Sequence, residues 1–238
     1  MAPRSACALA FAALLLTFRA APAAAPDISE TERQWLDGAT PPLAWAVKAG
    51  MPVDIALLAP EEVEPGNPPL SMGWRDGRCK LFLATRGNPL AESQLAAIPA
   101  AIRQEVLEAM AAHEIGHCRH YIAGTFEQLP RGFIDKPDVV EDHQPTAELK
   151  AEARGMRAQR REEAYADLVG LAWTHAANPD QFAQVQAWLE AFRANDAPRT
   201  SHDTGHWLAL AHAADAFSGK PTPFTQADAL WQRGLQDD

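Results

Sequence analysis

The segment from Ala100 to Ala123 restricts the fold more than any other part of the chain. Ile102, Val106, Ala109 and Met110 recur at spacings of three and four, the period of an amphipathic helix. The same stripe then runs into His113 and His117. A buried face that changes from hydrocarbon to imidazole must meet polar partners on another element, because unpaired polar groups are expensive to bury. Gly124 is a natural C-terminal stop for this helix. Gly116 lies inside it at a cost of about 1 kcal/mol against alanine, which points to close packing by a neighbour.

The elements around this helix follow from local pattern. Residues 26–50 read as one or two short, loosely docked helices without chemistry. Pro52 to Leu58 is a strand candidate, and Glu61 to Pro69 a Pro/Glu-rich surface loop. Leu70 to Trp74 and Cys79 to Thr85 flank Arg75-Asp76-Gly77, the signal for a β-hairpin. A short helix over Ala91 to Ile98 is redirected at Pro99. Thr146 to Ala177 is a second long helix; its first half is mostly a solvated charged face, and its second half, Tyr165 to Trp173, is buried. Three more helices are predicted over Asp180 to Arg193, Ser201 to Phe217 and Thr225 to Leu235. The long segment Thr125 to Pro145, with three prolines, is expected to form a cleft wall. The fold class is α+β, mostly helical, with a small antiparallel sheet before the histidine-bearing helix.

Residues 1–25 have the form of a secretory signal peptide: Arg4, an apolar stretch from Ala6 to Phe18, and small residues at Ala21 to Ala25. Cleavage would leave 26–238 as one domain, exported to the periplasm or secreted, with no stable membrane insertion. The formal net charge of −10 argues against nucleic acid as a partner, and losing the leader removes two arginines and no acid. The sequence does not set the oligomeric state. Cys79 and Cys118 remain after the leader, either as a disulfide or as two separately buried thiols. If bridged, they tie the histidine helix to the preceding strand.

His113-Glu114-Ile115-Gly116-His117 is an H-E-x-x-H motif. One helical turn separates the two imidazoles, so both project from one face, as two ligands of one zinc ion must. Glu114 lies about 100° round the helix, where it can reach a water on the metal without ligating it. His120 extends the pattern, but three ligands from one straight helix rarely converge on a tetrahedral centre.

Glu163-Ala164-Tyr165-Ala166-Asp167 adds E-x-x-x-D on a later helix, and here the chain resembles the gluzincins, the zinc peptidase clan of thermolysin and the prenyl-protein-processing peptidases. The resemblance implies a zincin-like fold with Zn2+ held by His113, His117 and Glu163, Glu162 being the alternative ligand. It also implies Asp167 as hydrogen-bond partner of His113, and Glu114 as general base. Ser201-His202 matches the element that donates to the oxyanion in the clan, with His206 as second choice. Alternatively, Asp203 or Thr204 is only a helix cap and His206 a core residue. The chain departs from the prenyl-peptidase pattern in having Trp207-Leu208-Ala209 where an arginine is expected. The implied substrate is a peptide or protein, paired in extended form with the edge of the small sheet. Two other expectations stand beside the peptidase: a non-catalytic zinc-binding envelope protein on the same scaffold, and a helical domain whose motif is accidental.

Overall fold

The computed structural model describes residues 28–135, 139–213 and 215–238; the predicted signal peptide lies outside them. Among the described residues, no helix is long and apolar enough to cross a membrane. The architecture is α+β. Helix α1 (Glu30–Lys48) leads into β1 (Val53–Leu57), the hairpin β2 (Leu70–Arg75) and β3 (Arg78–Leu83), and α2 (Pro89–Ala97). Next come α3 (Arg103–Ala123), α4 (Val139–Asp142), α5 (Ala147–Ala177), α6 (Phe182–Arg193), α7 (Gly205–Leu210) and α8 (Pro223–Gly234).

Residues 26–50 correct the expectation of loosely docked short helices. Ser29 and Glu32 form a capping box that starts α1, a single 19-residue helix. Trp35, Ala39 and Ala46 are fully buried in the common core, and a Cβ on Gly38 would lie 2.3 Å from the Leu107 side chain on α3. Pro41 and Pro42 lie inside the helix. Proline at 41 removes the hydrogen bond that the Asp37 carbonyl would accept, and Gln104 Nε2 of α3 donates to that carbonyl instead, at 3.2 Å. The proline at 41 is thus accommodated by a tertiary contact.

The hairpin forms as predicted, with Asp76 and Gly77 both at positive φ, 54° and 72°, as a tight two-residue turn requires. The sheet, however, is mixed and not antiparallel. Its order is β1-β3-β2, with β2 antiparallel and β1 parallel to the central β3. Alternation marks a strand but does not name its partner.

Helices α3 and α5 form the most extensive contact between elements in the fold. Two glycines let them approach: a Cβ on Gly116 would lie 3.1 Å from the Ala166 Cα, and one on Gly170 would lie 2.7 Å from the Ala109 carbonyl oxygen. The predicted close packing at Gly116 is therefore α5 itself. A disulfide joins Cys79 of β3 to Cys118 of α3, and both residues are fully buried.

The solvated face expected of the first half of α5 holds from Ala147 to Met156, whereas Arg157, Arg160 and Arg161 are buried and pair with Asp135, Glu141 and Asp238. These arginines bring the 125–145 segment and the α8 end onto the helix. The predicted helix over Ser201 to Phe217 shrinks to the six residues of α7, because Thr204 Oγ1 donates to Asp167 and fixes the chain just before the helix starts.

Candidate metal centre

The close crossing of α3 and α5 sets the motif face of one helix against the carboxylates of the other. His113 Nε2 and His117 Nε2 lie 3.1 Å apart. Glu163 Oε2 is 3.2 Å from the first and Glu163 Oε1 is 3.6 Å from the second. One ligand atom from each of these three residues lies within 4.8 Å of the others, a group able to hold a metal ion.

The opposite nitrogens explain why those atoms face one another. His113 Nδ1 is 2.8 Å from Asp167 Oδ1, and His117 Nδ1 is 3.0 Å from Glu162 Oε1. A carboxylate beside Nδ1 favours the Nδ1–H tautomer and leaves the Nε2 lone pair for a ligand. Two such nitrogens and a carboxylate then point into one small space, an arrangement that a cation there favours, whether a proton on His113 or a metal ion. Glu163 Oε2 is buried without a well-formed hydrogen bond, the condition expected of an oxygen held for a metal. Two imidazoles and one carboxylate are donors that suit a zinc ion.

Charge around the centre follows the same geometry. Burial pulls the His113 imidazole down, but the Asp167 and Glu163 carboxylates outweigh it and hold the ring up to about 10 in the chain without metal. Burial pushes Glu163 up, yet His113 above all holds it down to about 2. Burial raises the Glu114 carboxyl above its usual range, only partly offset by His113 and His117.

Arg193, which nothing in the sequence pattern marked, is central to the site. Its Nε and Nη2 donate to Asp167 Oδ2 and Oδ1 at 2.9 and 2.6 Å, and Thr204 Oγ1 adds a third bond at 2.6 Å. Asp167 is thereby locked against His113, with the carboxyl held well below the usual carboxylate range. Arg193 stands at the end of α6, far from the motif in sequence.

The structure separates the remaining candidates. His202 lies beside the centre, its Nε2 3.4 Å from Glu163 Oε2 and its side chain 45% exposed. His206, the second-choice donor, is exposed, with Nε2 3.3 Å from the Gly234 carbonyl oxygen, and does not line the cavity beside His113 and Glu114. Glu162 is not placed as the third ligand; it faces His117 Nδ1, on the side away from the ligand cluster.

A cavity of about 250 Å³ opens beside His113, Glu114 and His202. Its walls are mostly apolar: Val106 and Met110 from α3, Val185, Trp188, Leu189 and Phe192 from α6, and Pro68, Pro69 and Leu70 at the start of β2. The described part of 125–145 does not line it, so the expected cleft wall is supplied by α6 instead. That segment touches the centre from the other side, where the Phe126 ring meets His117 edge-on at 5.9 Å.

No family model, curated protein or solved structure matches the chain. The functional reading therefore rests on the residues and their geometry.

Proposed function

We propose that the chain is an exported zinc-dependent metallopeptidase of the gluzincin type, on a zincin-like fold, acting in the periplasm or outside the cell. The observation that carries this reading is the convergence of His113 Nε2, His117 Nε2 and Glu163 with both Nδ1 atoms occupied by carboxylates. These three side chains would hold the ion, and Asp167 fixes the orientation of His113. When bound, zinc supplies Lewis acidity, polarising a substrate carbonyl and acidifying a water.

Glu114, raised by burial, accepts the proton of the water that attacks the peptide carbonyl and passes it to the leaving amine. His202 Nε2–H donates to the oxygen on which negative charge develops; its exposed ring can turn from Glu163 to do so. The apolar cavity excludes water next to the reacting bond and takes a large apolar side chain of the substrate. The outer edge of β2, which starts at that cavity, can pair with an extended peptide.

Purified protein should contain about one zinc per chain, and Glu114→Gln should retain the metal while losing about 100- to 10,000-fold in peptide hydrolysis. Hydrolysis at the wild-type rate in that variant would refute the mechanism. Stoichiometric zinc with no cleavage across a broad peptide library would favour the non-catalytic zinc-binding envelope protein.

A further inference from the structure

We propose that Glu162 and His120 form a second support of the metal centre, in which Glu162 holds His117 in its ligating orientation and His120 holds Glu162. The inference rests on the zinc reading above. Glu162 is only 2% exposed, and its ion pairs are with the two histidines. Its Oε1 is 3.0 Å from His117 Nδ1, and its Oε2 is 2.7 Å from His120 Nδ1 and accepts the Glu127 backbone N–H at 3.2 Å. A carboxylate this deeply buried is tolerated only while its oxygens keep their donors.

Each donor is itself fixed. The His120 ring stacks on Tyr165 with centroids 3.8 Å apart and planes within 12°. Glu127 adopts a left-handed backbone, φ 57°, which a non-glycine residue rarely does. In that conformation its N–H points at Glu162. The two ligating histidines are thus supported separately: Asp167 serves His113 and is secured by Arg193 and Thr204, and Glu162 serves His117 and is secured by His120. His120, one turn beyond His117, contributes to the centre without touching the metal. Removing the carboxylate frees the His117 ring to rotate and to take the other tautomer, so affinity falls.

The test measures zinc affinity by chelator competition and the visible spectrum of the cobalt-substituted protein in Glu162→Gln, His120→Phe and the double variant. Thermal unfolding in chelator separately records any loss of folding stability. Glu162→Gln should bind zinc about 10- to 100-fold more weakly with an altered cobalt spectrum. His120→Phe keeps the stacking ring and should show a smaller loss. The double variant should be no weaker than Glu162→Gln alone, because both changes break one chain of contacts. Wild-type affinity and spectrum in folded Glu162→Gln, or additive losses in the double variant, would overturn the proposal. If Glu162→Gln does not fold, His120→Phe decides, and unchanged affinity there overturns it. A wild-type protein that binds no zinc would instead overturn the metal-site reading itself.

Discussion

Replacing both Cys79 and Cys118 with alanine tests how the metal helix is anchored to the sheet. The disulfide closes a loop of 39 residues. In the chain-entropy treatment, a loop of that length removes about 13 cal/mol/K from the unfolded ensemble, or about 4 kcal/mol at 25 °C. For a domain of this size each kcal/mol shifts the midpoint by about 2–4 °C, so the double variant should melt about 8–16 °C below wild type. Both sulfurs are buried between β3 and α3, and neither belongs to the ligand group. The folded variant should therefore bind zinc with unchanged stoichiometry, and the drop should persist in chelator. Differential scanning calorimetry with and without chelator, plus metal analysis, reads all three quantities. A variant that melts together with wild type would refute the entropic reasoning, and one that folds but loses its zinc would refute the separation of staple from site.

Gly170→Ala should destabilise, because a methyl 2.7 Å from the Ala109 carbonyl oxygen carries an overpacking cost of about 1–3 kcal/mol, against a helix-propensity gain of about 1 kcal/mol. Zinc affinity should fall with it as α5 is pushed from α3, Gly116→Ala should be milder, and a Gly170→Ala protein more stable than wild type in thermal melts would contradict the close crossing. Zinc binding near neutral pH should release protons, because His113 is held up to about 10 without metal and must be neutral to ligate. Calorimetry in buffers of different ionisation enthalpy reads that release; it should fade as pH rises through about 10, and its absence at pH 7 would refute the assignment.

What was legible in the sequence was what local pattern encodes. The helices bearing His113 and Glu163 and the Asp76-Gly77 turn follow from periodicity and turn chemistry, and the facing of Asp167 toward His113 was what the resemblance implied. What was illegible depended on tertiary partners. Arg193 has no neighbour in sequence that marks it, and only the fold brings the end of α6 to Asp167. The partner of β1, the Gln104 bond to the Asp37 carbonyl and the burial of Arg157, Arg160 and Arg161 are likewise properties of contacts between distant segments. His120 was visible as one turn beyond His117 and was set aside as a ligand, but its contact with Glu162 required the position of α5.

Helix α6 carries two duties within its C-terminal half. Trp188, Leu189 and Phe192 shape the cavity, and the very next residue, Arg193, clamps the carboxylate that orients His113. A substitution that tilts or shifts this helix to admit a different side chain also displaces the guanidinium. On the metallopeptidase reading proposed above, selectivity and metal retention are therefore inherited together. On that reading, drift in what it accepts is easiest through changes in side-chain volume at fixed backbone.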